Sequence, residues 1–317
     1  MLYPIIAIIA GLVLLVWSAD RFVNGAAAAA KNFGVSPMLI GLTIVAFGTS
    51  APEILVSLMA AINGSASLAV GNAIGSNIAN IALVLGITAI ITPLPVKSSV
   101  LKKEIPLLLG VTLIAGALLF DLHLSFTDGV ILLITLFISL YLFHRFQQSE
   151  EDDPMDESQE EIPEMATGIA IFWLVIGLSV LAASSRLLVW GASEIATQLG
   201  VSEIVIGLTI VAIGTSLPEL AASVASALKN QHDIAIGNVV GSNIFNLAVV
   251  MGIPGFFGGV SIGSEVLWRD YGAILGLSAL LLVFALWQKP PSISRYEGGF
   301  LSLIYVAYLG TLYSMSI

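Results

Sequence analysis

The stretch Gly41–Glu53, GLTIVAFGTSAPE, returns at Gly207–Glu219 as GLTIVAIGTSLPE. Each copy sets a Thr-Ser pair, a proline and a glutamate inside an otherwise apolar run. An acidic side chain near the centre of a bilayer costs roughly 2.5–3.5 kcal/mol on insertion scales. Two such residues in matched positions imply something positive for them to meet. A cation on a path through the membrane fits that need.

The surrounding composition supports a membrane setting. Hydrophobic residues make up 57% of the 317 positions and charged residues 10%, against about 25% charged in an average soluble domain. Mean hydropathy is +1.01. Apolar stretches long enough to span a bilayer, about 20 residues each, recur along nearly the whole chain. No second, soluble domain is expected. The first apolar segment, Tyr3–Trp17, lacks a basic leader region and reads as a retained helix.

The formal net charge of −10 is a local feature. Nine acidic residues (Glu150, Glu151, Asp152, Asp153, Asp156, Glu157, Glu160, Glu161 and Glu164) crowd one short loop, which leaves the rest near neutral. With no cysteine in the chain, disulfides, thiolate metal sites and a cysteine nucleophile are excluded.

Apolar runs separated by polar, Gly or Pro breaks predict an all-α polytopic membrane protein of ten transmembrane helices. The expected cores are 3–23, 37–62, 67–91, 104–121, 125–146, 167–188, 203–228, 233–257, 268–287 and 298–315. The acidic linker, 148–165, divides a first five-helix repeat (1–147) from a second (166–317). Gly41 and Gly207 stand 166 apart, and that offset holds without a gap to Gly86 and Gly252, with about half the paired positions identical. Five helices per period is odd, so equivalent helices must cross in opposite directions, as in many secondary transporters with inverted repeats. Lys and Arg favour the cytoplasmic side. With both termini outside, Arg21, Lys31, Lys97, Lys102, Lys103, Arg145, Lys229, Lys289 and Arg295 fall inside, and only Arg186 and Arg269 outside.

Pro52 and Pro218 sit within helical runs, where each lacks an N–H and crowds the carbonyl four residues back. The expected result is a break that loosens the carbonyls of Ala46–Gly48 and Ala212–Gly214. A bare proline kink is ordinary in a membrane helix, but the neighbours are not. Thr49 and Glu53 are four apart and share a helix face, as do Thr215 and Glu219, Ser76 and Asn80, and Ser242 and Asn246. All are hard oxygen donors, which suit Na⁺ and Ca²⁺ rather than softer metals. His123, His144 and His232 fall at expected helix ends or loops and read as surface residues. Gly71/Gly75 and Gly237/Gly241 have the small-xxx-small spacing of closely packed helices. They are expected to hold Ser76 and Asn80 against the Thr49/Glu53 face. Asn77 and Asn243 read as helix-to-helix hydrogen-bonding groups, with a ligand role as the alternative.

These motifs resemble the alpha-repeats of the calcium/cation antiporter superfamily, most closely its prokaryotic sodium/calcium exchanger branch. The similarity is most specific at the two GTS-x-PE and the two GN-xx-GSN-xx-N segments. It implies Glu53 and Glu219 as central carboxylates, with Thr49, Ser50, Ser76, Asn80, Thr215, Ser216 and Ser242 as companions. Carbonyls of Ala46 and Ala212 would complete outer sodium sites. Asn246 stands where some relatives carry Asp, so the site holds two acids rather than three.

The resemblance implies a secondary antiporter of a prokaryotic inner membrane that exchanges Na⁺ for Ca²⁺ by alternating access. Those ions and membrane lipid are its expected partners, with no cofactor, nucleic acid or obligate protein partner. Two facing carboxylates repel, and Ca²⁺, several Na⁺ or protons could neutralise them. An empty site is therefore expensive to occlude, which favours crossing loaded. An H⁺/Ca²⁺ or other divalent-cation exchanger is the nearest alternative. A channel offers no reason for an inverted duplication. An enzyme is disfavoured, since no HExxH or buried-helix His would activate Ser50 or Ser216. The linker lacks an EF-hand pattern and reads as a solvated tether, and Arg186 reads as a helix-end anchor.

Overall fold

The computed structural model describes residues 2–148, 163–200, 210, 212–287 and 289–316. Most of the acidic linker, and the part of the second repeat at 201–209 and 211, lie outside the described residues. In chain order the first half contains helices α1 Leu2–Phe33, α2 Pro37–Thr49, α3 Ala51–Ile62, α4 Ala66–Ile91, α5 Ser98–Lys102, α6 Glu104–Leu118 and α7 Phe126–Gln148. The second half contains α8 Thr167–Gln198, α9 Ala212–Thr215, α10 Leu217–Leu228, α11 His232–Phe256, α12 Val266–Trp287 and α13 Arg295–Ser316. Among the described residues, six helices are long and apolar enough to cross a membrane, or seven if α2 and α3 form one bent span.

Several helices outrun their expected cores. α1 continues to Phe33 and α8 to Gln198, through Ala- and Gly-containing turns that carry little hydropathy but no helix breaker. Arg186 accordingly lies well inside α8 rather than at a helix end, which corrects the anchor reading.

α1 and α8 pack antiparallel, backbone to backbone. A methyl group on Gly177 would meet the Phe22 nitrogen at 2.7 Å, and one on Gly11 would meet the Leu188 nitrogen at 3.1 Å. Likewise one on Gly25 would meet Leu174 N at 2.6 Å, and one on Gly191 would meet Pro4 O at 2.7 Å. Gly11 and Gly177 are equivalent under the 166 offset, as are Gly25 and Gly191. The same contact is thus made twice, with the helices exchanged, and that is the geometry of an inverted repeat.

Four two-residue strands repeat the pattern. β1 (Leu94–Pro95), after α4, pairs antiparallel with β4 (Ser292–Ile293), before α13; β2 (His123–Leu124), before α7, pairs with β3 (Val260–Ser261), after α11. Each repeat therefore clasps the other. The middle of the molecule is α4 and α11, whose most apolar windows are 72% and 94% buried, against 33% and 22% for α1 and α8. Buried polar groups on the two inner helices are shielded from lipid by protein.

Candidate functional site

Each glutamate sits just past a break in its helix. α2 ends at Thr49, Ser50 takes φ −82° and ψ 3°, and α3 restarts at Ala51, bent by 44°. Pro52 falls in the first turn of α3, where its missing N–H costs nothing. Ser216 (φ −89°, ψ 4°) and Pro218 repeat this between α9 and α10. Glu53 and Glu219 therefore both lie in the first turn of a restarted helix, and both are fully buried.

The breaks are tighter than expected, and loosened carbonyls in both halves find partners. Ala46 O accepts the Ser50 N–H at 3.0 Å and lies 3.4 Å from the Thr49 and Ser242 hydroxyls. In the second half Ile213 O accepts the Ser216 N–H at 3.1 Å, and Gly214 O accepts the Ser185 hydroxyl at 2.7 Å. Ala212 opens α9, and half-buried Thr215 closes it.

The two halves meet through their polar side chains. Ser50 Oγ donates to Glu219 Oε1 at 3.0 Å. Thr49 Oγ1 donates to Asn238 Oδ1 at 3.0 Å and stands 3.4 Å from Ser242 Oγ. Glu53 is within electrostatic reach of Glu219. Among the described residues, neither oxygen of Glu53 has a hydrogen-bond partner, nor does Glu219 Oε2, Ser216 Oγ or either end of the Asn80 and Asn246 amides. Leaving one buried polar atom unpartnered costs about 1–3 kcal/mol, more for a charged one. A cluster of such groups has the oxygen chemistry that a cation could satisfy.

Asn80 and Asn246 occupy matching stretches of wide, π-helical turn, Ala79–Leu85 and Asn246–Val250. Such turns recur at functional positions because they redirect side chains off the regular helix. Asn246–Val250 packs on α3, which carries Glu53, and Ala79–Leu85 packs on α10, which carries Glu219. Packing thus crosses between repeats. Gly237 and Gly241 let α11 press on the Met38, Gly41 and Leu42 backbone of α2, and that contact sets Ser242 against Thr49. The expectation that these small-residue pairs hold Ser76 and Asn80 against the Thr49/Glu53 face is corrected: nothing lies within 4 Å of a methyl group added at Gly71 or Gly75, and Gly237 and Gly241 pack on α2 of the opposite half. Ser76 is buried on α4.

Asn77 is also corrected. It donates to Ala73 O of its own helix at 2.8 Å, and neither end of the Asn243 amide has a partner among the described residues. The links between neighbouring helices come instead from Asn72 and Asn238, which sequence reading passed over. Asn72 Nδ2 donates to Glu53 O at 3.1 Å and Ser57 Oγ at 3.0 Å. Asn238 Nδ2 donates to Glu219 O at 3.2 Å and Ser223 Oγ at 2.9 Å. The identity of Asn72 with Asn238, and of Ser57 with Ser223, was the available signal.

A sequence model of the sodium/calcium exchanger protein family matches residues 3–145 and 169–314. The chain belongs to the sodium/calcium exchanger family. The exchanger is 46% identical over 318 residues to CaxA of Alkalimonas amylolytica, covering 99% of this chain and 100% of that one. It is 32% identical over 350 residues to the sodium/calcium exchanger MaX1 of Methanosarcina acetivorans, covering 96% of each. Its fold superposes on a solved structure of the sodium-calcium exchanger NCX_Mj, soaked with 2.5 mM Na⁺ and 1 mM Sr²⁺, with a TM-score of 0.84 at 34% identity, over 98% of both chains. The exchanger is a membrane antiporter, and its family is one of transporters rather than enzymes.

Proposed function

We propose that the exchanger moves Na⁺ one way and Ca²⁺ the other through the buried oxygen cluster, by alternating access. The observation that carries this is the Ser50–Glu219 hydrogen bond beside an unpartnered Glu53 carboxylate. It supports a reading in which both acids of the duplicated motif, each fully buried, share one site. Ca²⁺ takes six to eight oxygens at about 2.3–2.6 Å. Glu53, Glu219, Thr49, Ser50, Ser76, Asn80, Thr215, Ser216, Ser242 and Asn246, with the carbonyls of Ala46 and Ala212, form the ligand set of this reading. All offer oxygen. One Ca²⁺ neutralises both carboxylates, and Na⁺ ions spread over neighbouring oxygens do the same. An empty pair of charges resists closure away from water, so the carrier crosses loaded and exchange is coupled.

In this reading ten spans cross a prokaryotic inner membrane with both termini outside. Asn32 and Lys31, near the end of α1, hold Met165 O at 2.9 Å and Glu164 at 3.2 Å. Those contacts support a linker that ends on the face richest in Lys and Arg. Purified protein in liposomes, given separate Na⁺, K⁺ and pH gradients, tests the coupling. Uptake of radioactive calcium driven by Na⁺ supports the reading. Uptake driven by a pH gradient without Na⁺ replaces it with H⁺/Ca²⁺ exchange.

A further inference from the structure

The reading of Thr49 as a cation ligand leads one step further. We infer that Asn238 is a positioning residue, which turns the Thr49 hydroxyl so that its oxygen, and not its proton, faces the ion.

A hydroxyl carries one proton and two lone pairs. It can bind a cation only if the proton is committed elsewhere, because an O–H aimed at a positive charge repels it. Asn238 makes that commitment. Glu219 O is a carbonyl and can only accept, so the Asn238 atom 3.2 Å away is the amide nitrogen. Its second N–H goes to Ser223 Oγ at 2.9 Å. With both donors engaged on α10, the amide oxygen is left to accept, and Thr49 Oγ1 donates to it at 3.0 Å. Of the other acceptors near Thr49, Ala46 O and Ser242 Oγ are each at 3.4 Å and compete poorly, and the Glu219 carboxylate, which also lies near the hydroxyl, accepts from Ser50 at 3.0 Å instead. Asn238 is fully buried, so no water offers its amide another orientation.

Asn238 therefore orients a ligand of the opposite repeat while gripping the backbone of the glutamate in its own. The same grip recurs in the first half, where Asn72 Nδ2 spans Glu53 O and Ser57 Oγ. The 166 offset assigns Thr215 the place of Thr49 there.

A double-mutant cycle in proteoliposomes tests this, using Asn238→Leu, Thr49→Val and the pair. Half-saturating Na⁺ and Ca²⁺, maximal rates and melting temperatures in detergent are the readouts. Asn238→Leu is expected to raise the half-saturating concentration of at least one ion about tenfold, the size of one lost polar contact. Maximal rate should change little. Thr49→Val should do the same, and the pair should be no worse than the more damaging single change. Asn238→Ala carries the cycle if the leucine variant does not fold. Additive effects in the pair, or a lowered melting temperature with unchanged half-saturation, overturn the inference. If Glu53→Gln and Glu219→Gln exchange normally, the underlying site reading fails. If those are inactive while Asn238→Leu binds both ions normally, only the role of Asn238 fails.

Discussion

Ser50 and Glu219 belong to opposite halves of the chain, yet the hydroxyl of one donates to the carboxylate of the other at 3.0 Å. The contact joins the break of one repeat to the acid of its counterpart. Because the repeats are inverted, opposed helix breaks bring both restarted first turns, with their glutamates, to the middle of the protein. Helix N-termini carry partial positive charge, which tempers the burial of each carboxylate without neutralising it. On the proposed reading, a moving cation balances the remaining negative charge.

Neutralising either acid should therefore stop exchange while sparing the fold. Truncating one partner of a buried charge interaction costs about 2–5 kcal/mol, or roughly thirtyfold to several thousandfold in affinity. Glu53→Gln and Glu219→Gln should each lose Na⁺-driven calcium uptake by at least that factor. Melting temperature without Ca²⁺ should hold or rise, since an uncompensated buried charge is removed. Full uptake by either variant would show that the ions bind elsewhere.

Ser50→Ala removes the donor to Glu219 Oε1 but no formal charge. Hydrogen bonds to charged groups contribute about 1.5–3 kcal/mol, which corresponds to roughly ten- to 150-fold in affinity. The expected result is weaker Ca²⁺ half-saturation by about that factor. Ser50→Thr should recover most of the loss. A pair of variants with equal affinities would remove Ser50 from the site.

Much of this site could be read from residue types alone. Glutamate, threonine and proline stand out against hydrocarbon, and their return at a constant offset revealed the duplication. What stayed hidden was which helix each face meets. Spacing of four places Ser242 and Asn246 on one side of α11, but it does not say that Thr49 of the other repeat lies opposite. That follows only from the close approach at Gly237 and Gly241. Asn72 and Asn238 were visible as repeated polar residues, yet their position beside Gly71 and Gly237, in a motif that reads as helix packing, disguised them. The two-residue strands have no periodicity to read. The wide turns at Asn80 and Asn246 have none either, because π-helical spacing leaves no mark on hydropathy.

The antiparallel contact of α1 and α8 should be intolerant of bulk. A side chain on Gly25 would collide with the Ala170 and Leu174 backbone, and one on Gly191 with Pro4 O. Inserting even a few carbons into such a contact costs about 1–3 kcal/mol, occasionally more. Gly25→Leu and Gly191→Leu should lower the melting temperature in detergent by several degrees and slow exchange without changing ion half-saturation. Gly34, which touches nothing a methyl group would meet, is not an equivalent control, because its φ of +64° penalises any side chain. Gly168, in regular helix with open space around it, is the better one, and Gly168→Ala should leave both properties intact.

The two matched hollows are not alike in charge. Lys229 Nζ meets Asp20 Oδ1 at 2.6 Å, tying the tip of α10 to α1 beside a hollow lined by Val16, Leu220 and Val224. Under the repeat, Asp20 corresponds to Arg186 and Lys229 to Asn63, and these two line the matching hollow with Val56 and Met59. Arginine and asparagine cannot form an ion pair, so only the Asp20 end carries this latch. Both partners are partly exposed, and such pairs contribute about 0.2–1 kcal/mol, enough to change a two-state ratio by up to about fivefold. The chain has no native cysteine, so single cysteines can report access directly. In Na⁺ alone, Val56→Cys should react with a water-soluble thiol reagent faster than Val224→Cys. Adding Asp20→Asn should raise the Val224→Cys rate up to about fivefold at low salt, and the swap Asp20→Lys with Lys229→Asp should restore it. If neither change moves the labelling rate, the ion pair plays no part in holding that side shut.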